Sequence, residues 1–367
     1  MSAVEPAVKP ACILVLQGGG AMGAYHIGAF QALQEHAFEL DWVCGVSMGA
    51  INGAIIAGNA PGRRRLDQLD TFWNTISRPS MATAYGGVKL RSWMHMLSFA
   101  EALTLGQPGF FSPRPISPFL AQPGVAATSF YDTAPLHDTL AGVIDFASLG
   151  KAGTRLSVGA TDVETGALQF FDTHRMPHRF GPEHVLASSS LPPGFPATPI
   201  GGRQYWDGGC VSNTPLQAVL DDMPNADAVV FVIDLWSASG PVPATMAAVE
   251  WRAKQIRYAS STFGHVHAVA AKLKLRAAKR MLTKPASGPP GARLDIVHII
   301  YHPGEDQIPS SDAEFSRESI AARRAAGLSD MRRALAEQPW RRPDRPEHFG
   351  YLIHRLTPEG VMTIEDE

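Results

Sequence analysis

The first sixty residues hold one local pattern twice: a short apolar run, a glycine-rich turn, then a helix-forming stretch. Ala11 to Leu16 is the first run, and it ends in Gln17-Gly18-Gly19-Gly20-Ala21-Met22-Gly23. Ala24 to Ala37 follows with helical spacing, where Tyr25, Gly28, Ala29 and Ala32 keep an inner face close to a sheet. Trp42 to Cys44 is the second run, leading through Gly45-Val46-Ser47-Met48-Gly49 into the small, apolar stretch Met48 to Ala57. Strand, glycine loop, helix, strand is a βαβ unit, which requires parallel strands and a right-handed crossover. The chain therefore reads as an α/β protein. Both glycine turns open at the same edge of its sheet, where such folds place their sites.

The second turn has the Gly-x-Ser-x-Gly form of a nucleophile elbow, with Gly45 and Gly49 flanking Ser47. A strand that turns sharply into a helix brings backbones together, so a Cβ at either glycine would clash. The serine is left strained and exposed, with the helix N-terminus behind it to favour negative charge. The pentapeptide alone is also met as an idle glycine-rich turn. The first turn has two readings. Gly18-x-Gly20-x-x-Gly23 matches a dinucleotide fingerprint, with Glu39 or Asp41 near the expected acid. Three consecutive glycines also expose bare N–H groups suited to an oxyanion. The acids precede the second strand instead of closing it, and its far end holds Gly45-Val46-Ser47, so the oxyanion reading is preferred.

With 367 residues and 45% hydrophobic content, the chain has ample core for one large domain or two ordinary ones. A formal charge of -2 gives no sign of a nucleic-acid partner. Three cysteines, Cys12, Cys44 and Cys210, suggest no disulfide framework, and no Cys/His spacing suits zinc. Residues 1–10 read as a flexible N-terminus without signal-peptide character, and no apolar run approaches a membrane span. The expectation is a soluble, cytoplasmic protein that can still touch membranes from one side.

Further along, Arg63 to Ile76 reads as a helix with Leu66, Leu69, Phe72 and Ile76 on one stripe. From 77 to 129 prolines break up apolar and aromatic pieces such as Gly109-Phe110-Phe111, the pattern of a lid or of an insertion packed on the core. Arg155 to Ala160 and Leu168 to Phe171 read as strands joined by a turn at Glu164-Thr165-Gly166, with Asp162 and Glu164 as turn residues. His174, His178 and His184 read as solvated loop histidines, and Glu183 to Ser190 as a short helix. Asp207-Gly208-Gly209 after an aromatic strand is, in isolation, an ordinary Asp-Gly turn, though two glycines there also suit a loop that approaches another backbone. Ala228 to Ile233 and Leu294 to Tyr301 read as strands, and Glu314 to Gln338 as a helix. Residues 251–284 carry nine Lys and Arg and no acid among apolar residues. Such a basic amphipathic region suits either a peripheral membrane contact or the charged outer face of a packed helix.

Taken in order, Gly18-Gly19-Gly20-Ala21-Met22-Gly23, Gly45-Val46-Ser47-Met48-Gly49 and Asp207-Gly208-Gly209 resemble the patatin-like phospholipases. The serine run and Pro-Pro of Ala187 to Phe195 resemble a further block of that family, and the remainder resembles the carboxyl extension of a bacterial subgroup. The resemblance implies a three-layer α/β/α fold with a mostly parallel central sheet. It implies a catalytic domain over 11–235 and an extension over 236–367, built of basic helices and a strand. It also implies a lipid acyl hydrolase acting on ester substrates through a Ser-Asp dyad. Ser47 would be the nucleophile and Asp207 the base, Gly18, Gly19 and Gly20 with the Met48 N–H would form the oxyanion hole, and neither metal nor organic cofactor would be needed. Gly23, Gly45, Gly49, Gly208 and Gly209 would support these turns. Met22 stands where the family often has Arg or Lys, which removes a cation from the loop. An acyltransferase with the same dyad, or a non-catalytic nucleotide-binding protein, are the other functions compatible with these motifs.

Overall fold

The computed structural model describes residues 9–79, 96, 99–123, 128–151, 153–223, 226–259, 275, 293–304, 309–341 and 351–364. The βαβ unit forms as expected. β1 (Ala11–Leu16) and β2 (Trp42–Val46) are parallel neighbours, joined through α1 (Ala24–Glu35), and β2 leads directly into α2 (Met48–Ala57). α3 (Arg63–Ile76) follows. The small β3 (Ser112–Pro113) and β4 (Tyr131–Asp132) pair with each other, and α4 (Ala134–Val143) leads back to the sheet. β5 (Arg155–Asp162), β6 (Leu168–Asp172), α5 (Pro182–Ser189), β7 (Thr198–Ile200), β8 (Arg203–Asp207), α6 (Leu216–Asp221) and β9 (Ala228–Asp234) come next. The chain ends with β10 (Leu294–Ile300), α7 (Arg317–Glu337), β11 (Tyr351–Thr357) and β12 (Gly360–Ile364).

Apart from β3 and β4, these strands form one mixed sheet in the order β12-β11-β10-β9-β1-β2-β5-β8-β7, with β6 also paired to β5. Pairing is parallel through the centre, from β11 to β5, and antiparallel at both margins. The alternation of β1 defines the layers. Leu14 and Leu16 pack into the larger core with α1, α2 and α7, while Ile13 and Val15 pack into a second core with Leu216, Val219 and Leu220 of α6. Strands apolar on both faces require helices on both faces, giving the layered α/β/α arrangement.

Beyond residue 235 the sheet continues. β10, expected from the sequence, pairs with β9 along its whole length, and β11 pairs with β10. β12 was missed because it is a half-buried edge strand with little apolar pattern. α7 packs against α1 through two glycines. A Cβ at Gly28 would lie 1.9 Å from the Arg324 carbonyl oxygen, and one at Gly327 would lie 2.1 Å from that of Tyr25. Gly28 thus faces α7, a helix far along the chain, and not the sheet that its place in α1 had suggested.

Of the expected lid or insertion, the described part is packed on the core around Ala102, Gln107 and Phe110, while Ile116, Phe119 and Leu120 stay exposed. A helix at 99–105 precedes a tight turn in which Gln107 N–H donates to the Phe111 carbonyl, at 2.7 Å, while the Gln107 side chain bonds the Ile76 carbonyl. A helix at 246–259 contains the start of the basic stretch; apart from residue 275, the rest of 251–284 lies outside the described residues. Among the described residues no helix is long and apolar enough to cross a membrane, and no group of His, Cys, Asp or Glu is placed to hold a metal ion.

Candidate active site

Ser47 sits at the joint between β2 and α2 with φ 56° and ψ −127°, a left-handed conformation that costs a non-glycine residue about 1–3 kcal/mol. The flanking glycines make the joint possible. A Cβ on Gly45 would meet the Gly49 carbonyl oxygen at 2.2 Å, and one on Gly49 would meet that of Leu16 at the same distance. The strain is held by a strut that the sequence pattern did not reveal. Ser47 N–H donates to the Ser188 carbonyl at 3.0 Å and to Ser188 Oγ at 3.1 Å, and Ser188 Oγ donates to the Gly159 carbonyl at 2.6 Å. Two residues on, the Ser190 carbonyl accepts the Asp207 N–H at 3.0 Å. The serine run at the end of α5 therefore joins the backbone of residue 47 to that of residue 207.

Strand register explains why these two residues meet. Val46 pairs with Gly159 of β5, and Asp207 pairs with the next residue, Ala160. β6 occupies the other edge of β5 across those positions, so β2 and β8 arrive end to end on one edge. Gly208 permits the approach, since a Cβ there would meet the Gly159 carbonyl oxygen at 2.5 Å. Asp207-Gly208-Gly209 is thus both readings at once: a local turn, capped by Gly209 N–H donating to Asp207 Oδ1 at 2.7 Å, and a close backbone approach.

Asp207 is buried, and its Oδ2 has no partner in hydrogen-bond geometry among the described residues. Burial pushes its pKa from 3.8 up to about 7; the Gly209 N–H and the nearby Ser47 hydroxyl pull in the opposite direction. A carboxylate of that kind is a far better proton acceptor near neutrality than an exposed aspartate.

The glycine loop lies across from this pair. The Gly18 N–H is not available to a ligand, because it donates to the Asn213 carbonyl at 3.1 Å; this corrects its expected place in the oxyanion hole. Gly18 is needed for closeness instead, since a Cβ there would meet Asn213 Oδ1 at 2.3 Å and Ser47 Cβ at 2.9 Å. Its carbonyl accepts from Asn213 Nδ2 and Trp236 Nε1, both at 2.8 Å. The N–H groups of Gly19, Gly20 and Met48 have no protein acceptor among the described residues, and all three residues line the same cavity as Ser47. Gly20, at φ 53°, lies under the Asp312 carbonyl, and Gly23 packs on Met48. Met22 is fully buried in the core, so that position presents no side chain to the cavity.

The dinucleotide reading finds no support in the geometry. Asp41 lies at the opposite end of the sheet, where its carboxylate accepts the Cys12 N–H at 2.7 Å at the start of β1. Asp162 is a turn residue, accepting the Glu164 and Thr165 N–H groups at 3.0 Å and pairing with Arg203 at 2.7 Å. His184 corrects the solvated-loop expectation: it is buried near the start of α5, stacked on Phe180, and its Nδ1 accepts the Gly181 N–H at 3.0 Å.

The cavity has a volume of about 320 Å3 and is apolar along most of its wall. Phe110, Phe111, Tyr131 and Phe195 form one ring cluster on it, with centroids 4.7 to 6.3 Å apart, and Phe315 joins through Phe110. The acids among its lining residues are Asp207 and Asp312. Asp312 is neutralised by Lys254, whose Nζ lies 2.6 Å from it. Gln17, fully buried, ties the glycine loop to this wall: its Oε1 accepts Leu235 N–H at 2.6 Å and Trp236 N–H at 3.0 Å, and its Nε2 donates to Thr214 Oγ1 at 2.9 Å. Gln17, Asn213, Trp236, Lys254 and Asp312 carried no local signal in the sequence, because each acts through a partner distant along the chain.

Fold and site together define an α/β protein of the nucleophile-elbow type, with a strained serine beside a buried carboxylate and a glycine loop. Residues 14–220 match the family model described as patatin-like phospholipase, and 275–347 match a second described as patatin phospholipase. The chain belongs to the patatin-like phospholipase family, whose members are lipid hydrolases. It is 24% identical over 264 residues to an uncharacterized NTE family protein of Mycobacterium tuberculosis, covering 71% of this chain and 59% of that one. The chain thus spans about three fifths of the length of that relative. A 42-residue stretch is 57% identical to neuropathy target esterase sws of Drosophila persimilis, 11% of this chain and 3% of that protein. Among solved structures, VipD from Legionella pneumophila aligns over 89% of this chain and 67% of its own, with 15% identity and a TM-score of 0.38.

Proposed function

We propose that this protein is a serine acyl hydrolase that cleaves lipid carboxylic esters through a Ser47-Asp207 dyad and an acyl-enzyme. Ser47 Oγ attacks the ester carbonyl while Asp207 takes its proton. The developing oxyanion is received by the N–H groups of Gly19, Gly20 and Met48, of which one donor in such a hole is typically worth about 3–4 kcal/mol. Asp207 returns the proton to the departing alcohol, then deprotonates the water that releases the acyl group. Neither step calls on a metal or an organic cofactor. The apolar, aromatic wall suits an acyl chain and so supports a phospholipid, lysophospholipid or acylglycerol as the substrate.

One observation carries the reading: a buried carboxylate with an unpartnered oxygen shares a cavity with a serine held in a strained backbone conformation. Buried polar atoms are rarely left unpaired without a functional reason. Fluorophosphonate labelling of the wild type, of Ser47→Ala and of Asp207→Asn tests it. Labelling should be present in the first, absent in the second and strongly slowed in the third. Undiminished labelling of a folded Ser47→Ala protein would remove residue 47 from the mechanism.

A further inference from the structure

Between Arg114 and Asp132 the chain has no charged residue. Its described part displays large apolar side chains in water: Ile116 is 59% exposed, Phe119 86% and Leu120 82%. Isolated apolar side chains are ordinary on a protein surface, but three within five residues, two of them adjacent, make a patch. The patch is built, not frayed. Ser117 O accepts the Leu120 N–H at 2.9 Å and the Ala121 N–H at 3.2 Å, closing a turn that presents Phe119 and Leu120 at its tip. Phe119 rests on Phe130, with ring centroids 6.0 Å apart, and Phe130 is itself 40% exposed.

The patch is continuous with the mouth of the cavity. Phe130 N–H donates to the Pro193 carbonyl at 3.2 Å, and Tyr131 N–H to that of Gly194 at 2.9 Å. Tyr131, Pro193 and Gly194 all line the cavity that holds Ser47. Two further cavity residues, Leu103 and Leu191, are partly exposed at the same rim, and the Tyr131 hydroxyl donates to the Leu103 carbonyl at 3.1 Å. An apolar strip therefore runs from solvent, over Phe119 and Phe130, to the entrance of an apolar pocket. Long acyl chains are present in water mainly within aggregates, so a substrate that fits this pocket has to leave a lipid surface to enter it.

We infer that the Ile116–Leu120 turn, with Phe130 behind it, is a lipid-surface docking element that inserts into the interfacial region of a bilayer or micelle and sets the cavity mouth against it. An uncharged tip of Phe, Leu and Ile side chains is the chemistry that partitions into that region. The occupant is lipid because the strip leads to the acyl-chain pocket. This rests on the acyl hydrolase reading for its purpose but can be measured without catalysis.

The test uses the whole 367-residue chain and its double variant Phe119→Ser, Leu120→Ser, both changes being at exposed positions. Sedimentation with phosphatidylcholine vesicles reads binding. Hydrolysis of a long-chain ester in those vesicles, and of p-nitrophenyl butyrate in free solution, reads activity. The wild type should sediment with vesicles and the double variant should bind at least about tenfold more weakly. Its activity on the vesicle substrate should fall in step, and its activity on the soluble ester should stay within about twofold. Equal vesicle binding by the two proteins overturns the proposal, as does a wild type that does not sediment. A wild type that is dimeric by gel filtration, with a monomeric variant and unchanged vesicle binding, assigns the patch to a second copy and also overturns it. If soluble-ester hydrolysis survives Ser47→Ala, the dyad reading fails, while the sedimentation result still decides the docking element.

Discussion

In the proposed dyad, Asp207 sets the pH dependence of activity, and its buried carboxyl also makes stability depend on pH. Its carboxyl is raised to about 7 by burial, so as a base it becomes competent only as pH climbs through that value. The kcat/KM profile should therefore rise with an apparent pKa near 7 and not level off near 4, as a pH series on a soluble ester would show. Folding follows the same proton with the opposite benefit. The folded protein binds it more tightly than the unfolded chain, whose value is near 3.8, so stability falls as pH rises from about 4 to about 7 and the cost is complete above that. Asp207→Asn carries no such cost. It should be inactive yet more stable than the wild type by a few kcal/mol at about pH 8, with the gap closing toward pH 4, measured by urea unfolding at both values. Ser47 carries the companion effect. Glycine accepts its backbone angles where alanine does not, so Ser47→Gly should be more stable than Ser47→Ala by about 1 kcal/mol. Equal stability of the two variants would mean that the elbow is not strained. Both residues were visible as motifs. Their states were not, because burial and φ are set by the strands around them. The same limit hid the occupied Gly18 N–H, whose partner Asn213 lies on a distant loop.

Among the elements, α5 matters to the site through its end. Ser188 Oγ links the elbow N–H to the Gly159 carbonyl, at the junction where β2 and β8 meet on β5. Ser188→Ala leaves that buried carbonyl without this donor, and should cost roughly 1–3 kcal/mol of stability. It should also lower kcat with little change in KM, because Ser188 holds Ser47 and does not line the cavity. A fall in KM alone, or normal turnover, would separate the serine run from the catalytic geometry. The α1–α7 contact is a purely structural counterpart. Gly28→Ala forces a methyl group against the Arg324 carbonyl and should destabilise by roughly 1–3 kcal/mol, while leaving the pH profile of turnover unchanged in the folded fraction. Element identity was largely legible here: the apolar runs of β1, β2, β5, β9 and β10 fall where periodicity placed them, since strands buried on both faces must be apolar throughout. The face that a glycine turns toward was not legible, because it depends on which helix arrives last.

At the scale of the whole molecule, the site is closed by residues outside the part that matches the first family model. That match ends at residue 220, yet Trp236, Tyr258, Asp312, Ala313 and Phe315 line the cavity with Ser47. The 311–316 segment is fixed from behind by Arg323 of α7, whose guanidinium donates to the Ser311 carbonyl at 2.8 Å and the Glu314 carbonyl at 2.9 Å. The sheet makes the same point. Removing everything after residue 240 would strip β10 from β9, taking Leu294 and Ile296 from the second core that holds Val230 and Val232 and leaving β9 as a long apolar edge. It would also take α7 from α1, exposing the face around Gly28 and leaving the Tyr25 hydroxyl without Asp330, now 2.7 Å away. A chain of residues 1–240 should therefore be insoluble or should lack a cooperative thermal transition by circular dichroism. It should not react with fluorophosphonate even though Ser47, Asp207 and the glycine loop are all retained. A soluble 1–240 protein that melts cooperatively and labels at Ser47 would show that the carboxyl-terminal third is an accessory to a complete enzyme, and not one of its walls.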